Sequence, residues 1–170
     1  MRSLTLTIRS ERVSADAAYD RIRHFERYPY LVDEVRSVVV HADDSSGPVA
    51  SDWEVYFHNG PLRWSEVDYF QAQQRKIIFE QTTGDFDVFR GWWTVEPFDT
   101  GCEVIFNTTF DFGIPSLAGI FEPIVTKVLK EAIAIVLYRL LEDAVVVDDP
   151  LVHRAVAVKL GDSQRLTLNR

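Results

Sequence analysis

GDFDVFRGWWTVEPFDTGCEVIFNTTFDFGIPSLAG, residues 84–119, holds two long alternating stretches and then runs straight into a helical pattern. Asp85–Pro97 and Cys102–Phe112 carry the period of two expected of strands, joined through Asp99-Thr100-Gly101. On the second strand Phe106, Thr108 and Phe110 share one face and Asn107, Thr109 and Asp111 the other, so the apolar set is expected inside with Thr108 as a small polar group among it. From Ser116 to about Asp143 the period changes, and Phe121, Ile124, Val128, Ala132, Ile135 and Val136 fall along one side of a helix. Pro123 requires that the regular helix begin near it or that its first turn be distorted.

Working back toward the N-terminus, Leu4, Leu6 and Ile8 alternate with polar residues, which predicts a strand over Ser3–Ser10. Ser14 then opens a helix to about Glu26, and Pro29 separates it from a short turn over Tyr30–Asp33. Strands follow at Val35–His41 and Val49–His58, with a polar turn at Asp43–Gly47 between them. Asn59-Gly60 is a hairpin signal that returns the chain as Leu62–Phe70. Lys76–Gln81 precedes a turn at Thr83-Gly84. The expectation is an α+β fold in which a seven-stranded curved antiparallel sheet wraps a long C-terminal helix, with two short helices after the first strand. A single domain spans 1–147, and 148–170 is expected to be a flexible or intermolecular tail.

Composition narrows the function. The chain has 170 residues, 46% of them apolar, which suits one sizeable core. A net charge of −8 disfavours a nucleic-acid footprint, since phosphates need clustered Lys and Arg. Ala132–Leu137, the longest apolar run, is far shorter than the roughly 20 residues of a membrane span. Cys102 is the only cysteine and the N-terminus has no apolar leader, so a reducing cytoplasm is the expected setting. No histidine or carboxylate spacing resembles a metal site, and neither a phosphate loop nor a nucleophile elbow is present, so no metal or other cofactor is expected.

Several motifs resemble the START-like (helix-grip, SRPBCC) superfamily, in its polyketide cyclase/aromatase and lipid-carrier branch. They are Tyr28-Pro29 after the first helix, Gly91-Trp92-Trp93 with Glu96-Pro97, Gly101-Cys102-Glu103-Val104, and Phe110-Asp111-Phe112-Gly113 before a helix containing Leu117, Phe121 and Ile124. The resemblance covers roughly residues 3–146. It implies a cavity between sheet and helix for a hydrophobic or aromatic, polyketide-like small molecule. Such proteins either steer aldol-type ring closure and dehydration of a poly-β-ketone or carry quinones and lipids without chemistry. The resemblance also implies an arginine and a serine or threonine turned inward on the strand corresponding to Leu62–Phe70. Here the arginine position falls on Glu66 or Asp68, a departure from that pattern.

Alternation places Trp64, Glu66, Asp68 and Phe70 on one face of that strand and Arg63, Ser65, Val67 and Tyr69 on the other. If Glu66 and Asp68 face the cavity, desolvation and mutual repulsion raise at least one pKa and create a general acid or base; if they face water, they are a polar stripe. Arg90, sharing a face with Phe86, Val88, Trp92 and Thr94, is the candidate carbonyl binder, with Arg63 as the alternative. Of the tyrosines able to donate to a ligand, Tyr30 and Tyr56 are the leading candidates beside Tyr28 and Tyr69. Trp64, Trp92, Phe86, Thr108 and Phe121 complete the expected binding set. The leading expectation is a cofactor-independent polyketide aromatase/cyclase, with an acyl carrier protein and a second copy of the chain as candidate protein partners. The rivals are a non-catalytic carrier or sensor, and a partner-binding module whose cavity is filled by side chains.

Overall fold

A computed structural model describes the backbone of residues 1–41 and 47–168, and side chains as far as residue 161. The polar turn expected at Asp43–Gly47 falls almost wholly outside the described residues. Eight strands form one antiparallel sheet: β1 (Arg2–Ser10), β2 (Val35–His41), β3 (Val49–Tyr56), β4 (Pro61–Gln71), β5 (Lys76–Gly84), β6 (Val88–Phe98), β7 (Gly101–Asp111) and β8 (Ala144–Val146). Their spatial order is β2-β3-β4-β5-β6-β7-β1-β8, a meander closed by the first and last strands. The helices are α1 (Ala15–Ile22), α2 (Tyr28–Leu31), α3 (Pro115–Leu140) and α4 (Pro150–Leu168). This is the helix-grip arrangement expected from sequence, with one further strand, since β8 adds to the edge of β1.

Local chemistry accounts for most boundaries. Ser14 caps α1 by accepting from Ala17 N, and α1 is shorter than expected, giving way to a 3-10 turn at Phe25–Arg27. Pro29 sits in the first turn of α2, where its missing N–H would have had no partner. β5 continues through Thr83 and Gly84, which still pair with Ser65 and Trp64, so the turn lies at residues 85–87 instead. The register shift at Ser65/Glu66 inserts Thr82 as an extra residue in β5, and a second shift lies at Val35/Ser37 on β2; both bend the sheet toward α3.

Gly91 lies on the inner face of β6, where a side chain has no room. An added Cβ would stand 2.0 Å from Asn107 O and 2.7 Å from Phe79 Cζ. Absence of a side chain here lets the Phe79 ring lie against the strand.

α3 begins at Pro115, well before Pro123, and its C-terminal half is buried continuously from Glu131 to Leu137. One side faces the sheet and the other faces α4. Arg21 of α1 caps its last turn through Leu140 O at 2.9 Å, and Arg139 donates to Leu31 O. Residues 148–170 were expected to be a flexible or intermolecular tail, yet Pro150–Leu168 is a helix that packs on α3. Asp149 accepts from Val152 N at the start of α4 and Pro150 takes its first position. Val152 and Val156, one turn apart, are buried, and Lys130–Asp149 (2.9 Å), Lys159–Glu131 (3.2 Å) and Tyr138 Oη–His153 Nδ1 (2.5 Å) tie the two helices together.

Val156→Ala is expected to lower unfolding free energy by about 2 kcal/mol through lost burial and a residual void, while Val158→Ala on the exposed face changes it little. Gly91→Ala is expected to cost about 3 kcal/mol or more by forcing β6 from β7. Chemical denaturation of the three variants measures both effects.

Candidate functional site

Two carboxylates stand on the concave face of the sheet, directly under α3. β4 turns Trp64, Glu66 and Asp68 inward, at 5%, 3% and 0% exposure. Trp64 Nε1 donates to Glu66 Oε1 at 2.7 Å. On the neighbouring strand Ser51 donates to Asp68 Oδ2 at 2.5 Å, and Trp53 Nε1 donates to Ser51 Oγ at 2.9 Å. The result is a polar spine, Trp64–Glu66–Asp68–Ser51–Trp53, set into an apolar sheet.

Electrostatics dictates the protonation of that spine. Leaving two adjacent buried carboxylates ionised costs several kcal/mol per ion, and no basic side chain contributes to either group. Glu66 is pushed well above the usual carboxylate range by burial first, then by its hydrogen bond to Asp68 and the charge there. Burial raises Asp68 as well, while its hydrogen bonds to Glu66 and Ser51 hold it lower. Between them the two acids keep one proton, carried by Glu66 and shared with Asp68. That proton also answers Asp68 Oδ1, which no other hydrogen bond reaches among the described residues.

Aromatic rings surround the pair. Trp53 and Trp64 pair across β3 and β4 with rings stacked at 5.9 Å and 4°. Phe25 and Tyr28 approach Trp53 edge-on at 5.4 and 5.8 Å, and Phe89 lies 4.8 Å from Trp64. These rings, with Glu66 and with Leu129, Ala132, Ile133 and Val136 of α3, enclose a cavity of about 50 Å³. At roughly 10–15 Å³ per ordered water this holds about four waters, the bulk of one small aromatic ring.

The expected site residues divide by strand face. Trp64, Glu66, Phe86 and Thr108 are buried on the inside, although the Thr108 hydroxyl is already donated to Arg90 O (2.9 Å). Asp68 lies behind Glu66, away from the cavity wall. Arg90 and Trp92 point to the outer face, where Lys76 lies over the Trp92 ring. Arg63 is also outside, paired with Glu54 at 3.0 Å. Tyr30 is 88% exposed, and Tyr56 is on the surface with its hydroxyl on His58 O. Phe121 packs on Phe112, away from the cavity lining. The misassigned face of β6 has a simple origin: Phe86 is buried from the turn, so it does not share the parity of Arg90 and Trp92. The apolar set Phe89, Trp93 and Val95 is the inner one.

Sequence reasoning passed over Phe25, Trp53, Phe79, Phe89, Trp93 and Phe106 as cavity residues and Ser51 as the partner of Asp68. Tyr28 lines the cavity in place of Tyr30, but its hydroxyl is donated to Ile22 O at 2.7 Å. Alternation of Ser51, Trp53 and Val55 on β3 was the available signal. Among the described residues no cluster of three His, Cys, Asp or Glu side chains could hold a metal ion, and no helix is long and apolar enough to cross a membrane.

Known structures share this architecture. A protein of Thermus thermophilus is 23% identical, with 82% of this chain and 94% of that one covered and a TM-score of 0.72. A START superfamily protein of Mycobacterium smegmatis is 16% identical over 83% and 96%, TM-score 0.67. The Zhui aromatase/cyclase of a Streptomyces species is 14% identical over 82% and 92%, TM-score 0.63. At these identities the likeness is one of fold. No curated protein matches the chain in sequence. The profile of one family does match, over residues 12–136, a span that takes in the carboxylate pair, the aromatic walls and most of α3. The chain therefore belongs to the polyketide cyclase/dehydrase and lipid transport family.

Proposed function

We propose that the protein binds an aromatic or poly-β-ketone intermediate in the cavity and directs aldol-type ring closure and dehydration by proton transfer through Glu66. The observation that carries this reading is a carboxyl pair holding one proton at the floor of an aromatic cavity. A monoprotonated pair is both acid and base. In its basic form it removes a proton from the methylene between two ketones, and the resulting enolate carbon bonds to a second carbonyl carbon. The alkoxide formed takes a proton from Glu66. Loss of that hydroxyl as water, with the neighbouring C–H proton returned to the pair, gives the ring double bond. Glu66 lines the cavity and is the candidate catalytic residue; Asp68 is a positioning residue that sets its proton. The walls supply orientation and exclude water. One ring fits the space as it stands, so the reacting segment occupies the cavity and a longer chain displaces part of the wall.

One observation favours non-catalytic carriage instead. Arg63 and Arg90 both lie on the outer face, so no inward cation polarises a ketone. Product profiling separates the two readings, using a minimal polyketide synthase with and without the protein. A cyclised product that depends on the protein and falls roughly 10²-fold or more with Glu66→Gln supports catalysis. Arg90→Ala is expected to leave it unchanged. An identical profile with and without the protein moves the assignment to a carrier.

The same pair predicts an unusual pH dependence of stability. Both acids are raised above their unfolded values near 4, so their contribution is complete below about pH 4 and is lost as pH rises through the raised value of the pair. Glu66→Gln keeps the hydrogen bonds without the buried charge. It is expected to raise Tm at about pH 8 and to flatten the fall in Tm between about pH 5 and 8. A variant less stable than the native protein at every pH would mark the pair as structural.

A further inference from the structure

Nearly every hydrogen-bond donor on the cavity floor is already committed to a protein acceptor. Trp64 Nε1 goes to Glu66, Trp53 Nε1 to Ser51, Ser51 to Asp68, and Tyr28 to Ile22 O. Gln81, directly opposite Glu66 on β5, commits its Nε2 to Phe86 O at 2.8 Å. What is left over is acceptors: Asp68 Oδ1 and Gln81 Oε1 are both buried without a hydrogen-bond partner among the described residues, and Glu66 lies at the cavity wall. A neutral ketone brings only further acceptors. A ligand that donates is what the floor lacks.

Charge points the same way. The buried polar side chains are Ser10, Ser51, Glu66, Asp68, Thr108 and Glu131, three of them acids and none a base. Glu131 is answered by Lys159 at 3.2 Å, on the far side of α3. Glu66 and Asp68 are answered only by the proton they share. The faces of Trp53 and Trp64, with Phe25, Tyr28 and Phe89 beside them, are the surfaces on which organic cations settle.

We propose that the cavity selects a one-ring aromatic ligand bearing a protonated amine, whose N–H groups are accepted by Glu66 and whose charge replaces the proton held between Glu66 and Asp68. This inference rests on the reading of the cavity as the ligand site and narrows that ligand from a neutral ketone to a cationic amine. Binding then releases one proton, so apparent affinity rises with pH, by up to tenfold per unit, until the pair is ionised in the free protein.

Benzylamine and benzyl alcohol, equal in size and differing in charge, are the probes for titration calorimetry at pH 6 and pH 8, in buffers of different ionisation enthalpy. The wild-type protein is expected to bind the amine at least about tenfold more tightly than the alcohol at pH 8, with proton release, and to bind the alcohol equally at both pH values. Glu66→Gln and Asp68→Asn should each erase the preference for the amine while leaving the alcohol bound, which shows that the cavity is intact. Equal affinity of the two probes, amine binding without pH dependence, or a preference that survives in both variants overturns the inference and leaves the cavity reading standing. Failure of both probes to bind the wild-type protein overturns the cavity reading and this inference together.

Discussion

Burial of α3 on two sides is the constraint from which the rest of the structure follows. The segment from Glu131 to Leu137 is buried around its whole circumference, so a single sheet face cannot satisfy it. The curved sheet covers one side and α4 the other, with Val152 and Val156 sealing the contact. β8 follows from the same need. The chain leaving α3 pairs with β1 through Ile8 and Val146 and delivers α4 to the back of the helix it must cover. Sheet curvature, introduced by the two register shifts, then leaves a small space between Leu129, Ala132, Ile133 and Val136 and the aromatic floor.

Into that apolar space the fold places two acids, the least favourable residues for it. A core chosen for stability alone would carry leucine or methionine at Glu66 and Asp68. The two indole N–H groups, the Ser51 hydroxyl and one shared proton make the arrangement tolerable without neutralising it fully. This is the kind of local conflict that functional sites retain, and it separates the pair from the surface carboxylates, which find cations or water. The same physics explains why the ordinary polar contacts do not compete for function. His41–Asp52 and Arg63–Glu54 are on the outer face, where solvent screens them.

Much of this was legible. Period-two alternation on β1, β4 and β7 gave the inward faces correctly, and Glu66 and Asp68 followed from the parity of Trp64 and Phe70. Where the reading went astray, a residue in a turn was counted as a strand position. Phe86 is buried by the curl of the chain into β6, and extending its parity put Arg90 and Trp92 inside when Phe89 and Trp93 are there. α4 was missed for a different reason. Asp149-Pro150 is a helix start, and Val152 with Val156 is one turn of an apolar stripe, but the stripe is too narrow to stand out from alternation in a short window. The all-round apolar character of Ala132–Leu137 was the indirect sign that something covered the back of α3.

By itself, then, the sequence determined the helix-grip class, the direction of β4 and the presence of two acids on its buried face, because period and burial are local properties of consecutive side chains. Tertiary structure alone decided which aromatics meet those acids, that neither Arg63 nor Arg90 reaches them, and how little space is left above them. Those are relations between strands distant in sequence, set by register, bulges and the docking of α3 and α4. The shared proton belongs to the same class of facts, since it exists only when Glu66 and Asp68 are shut away from water and from every basic side chain that could answer them.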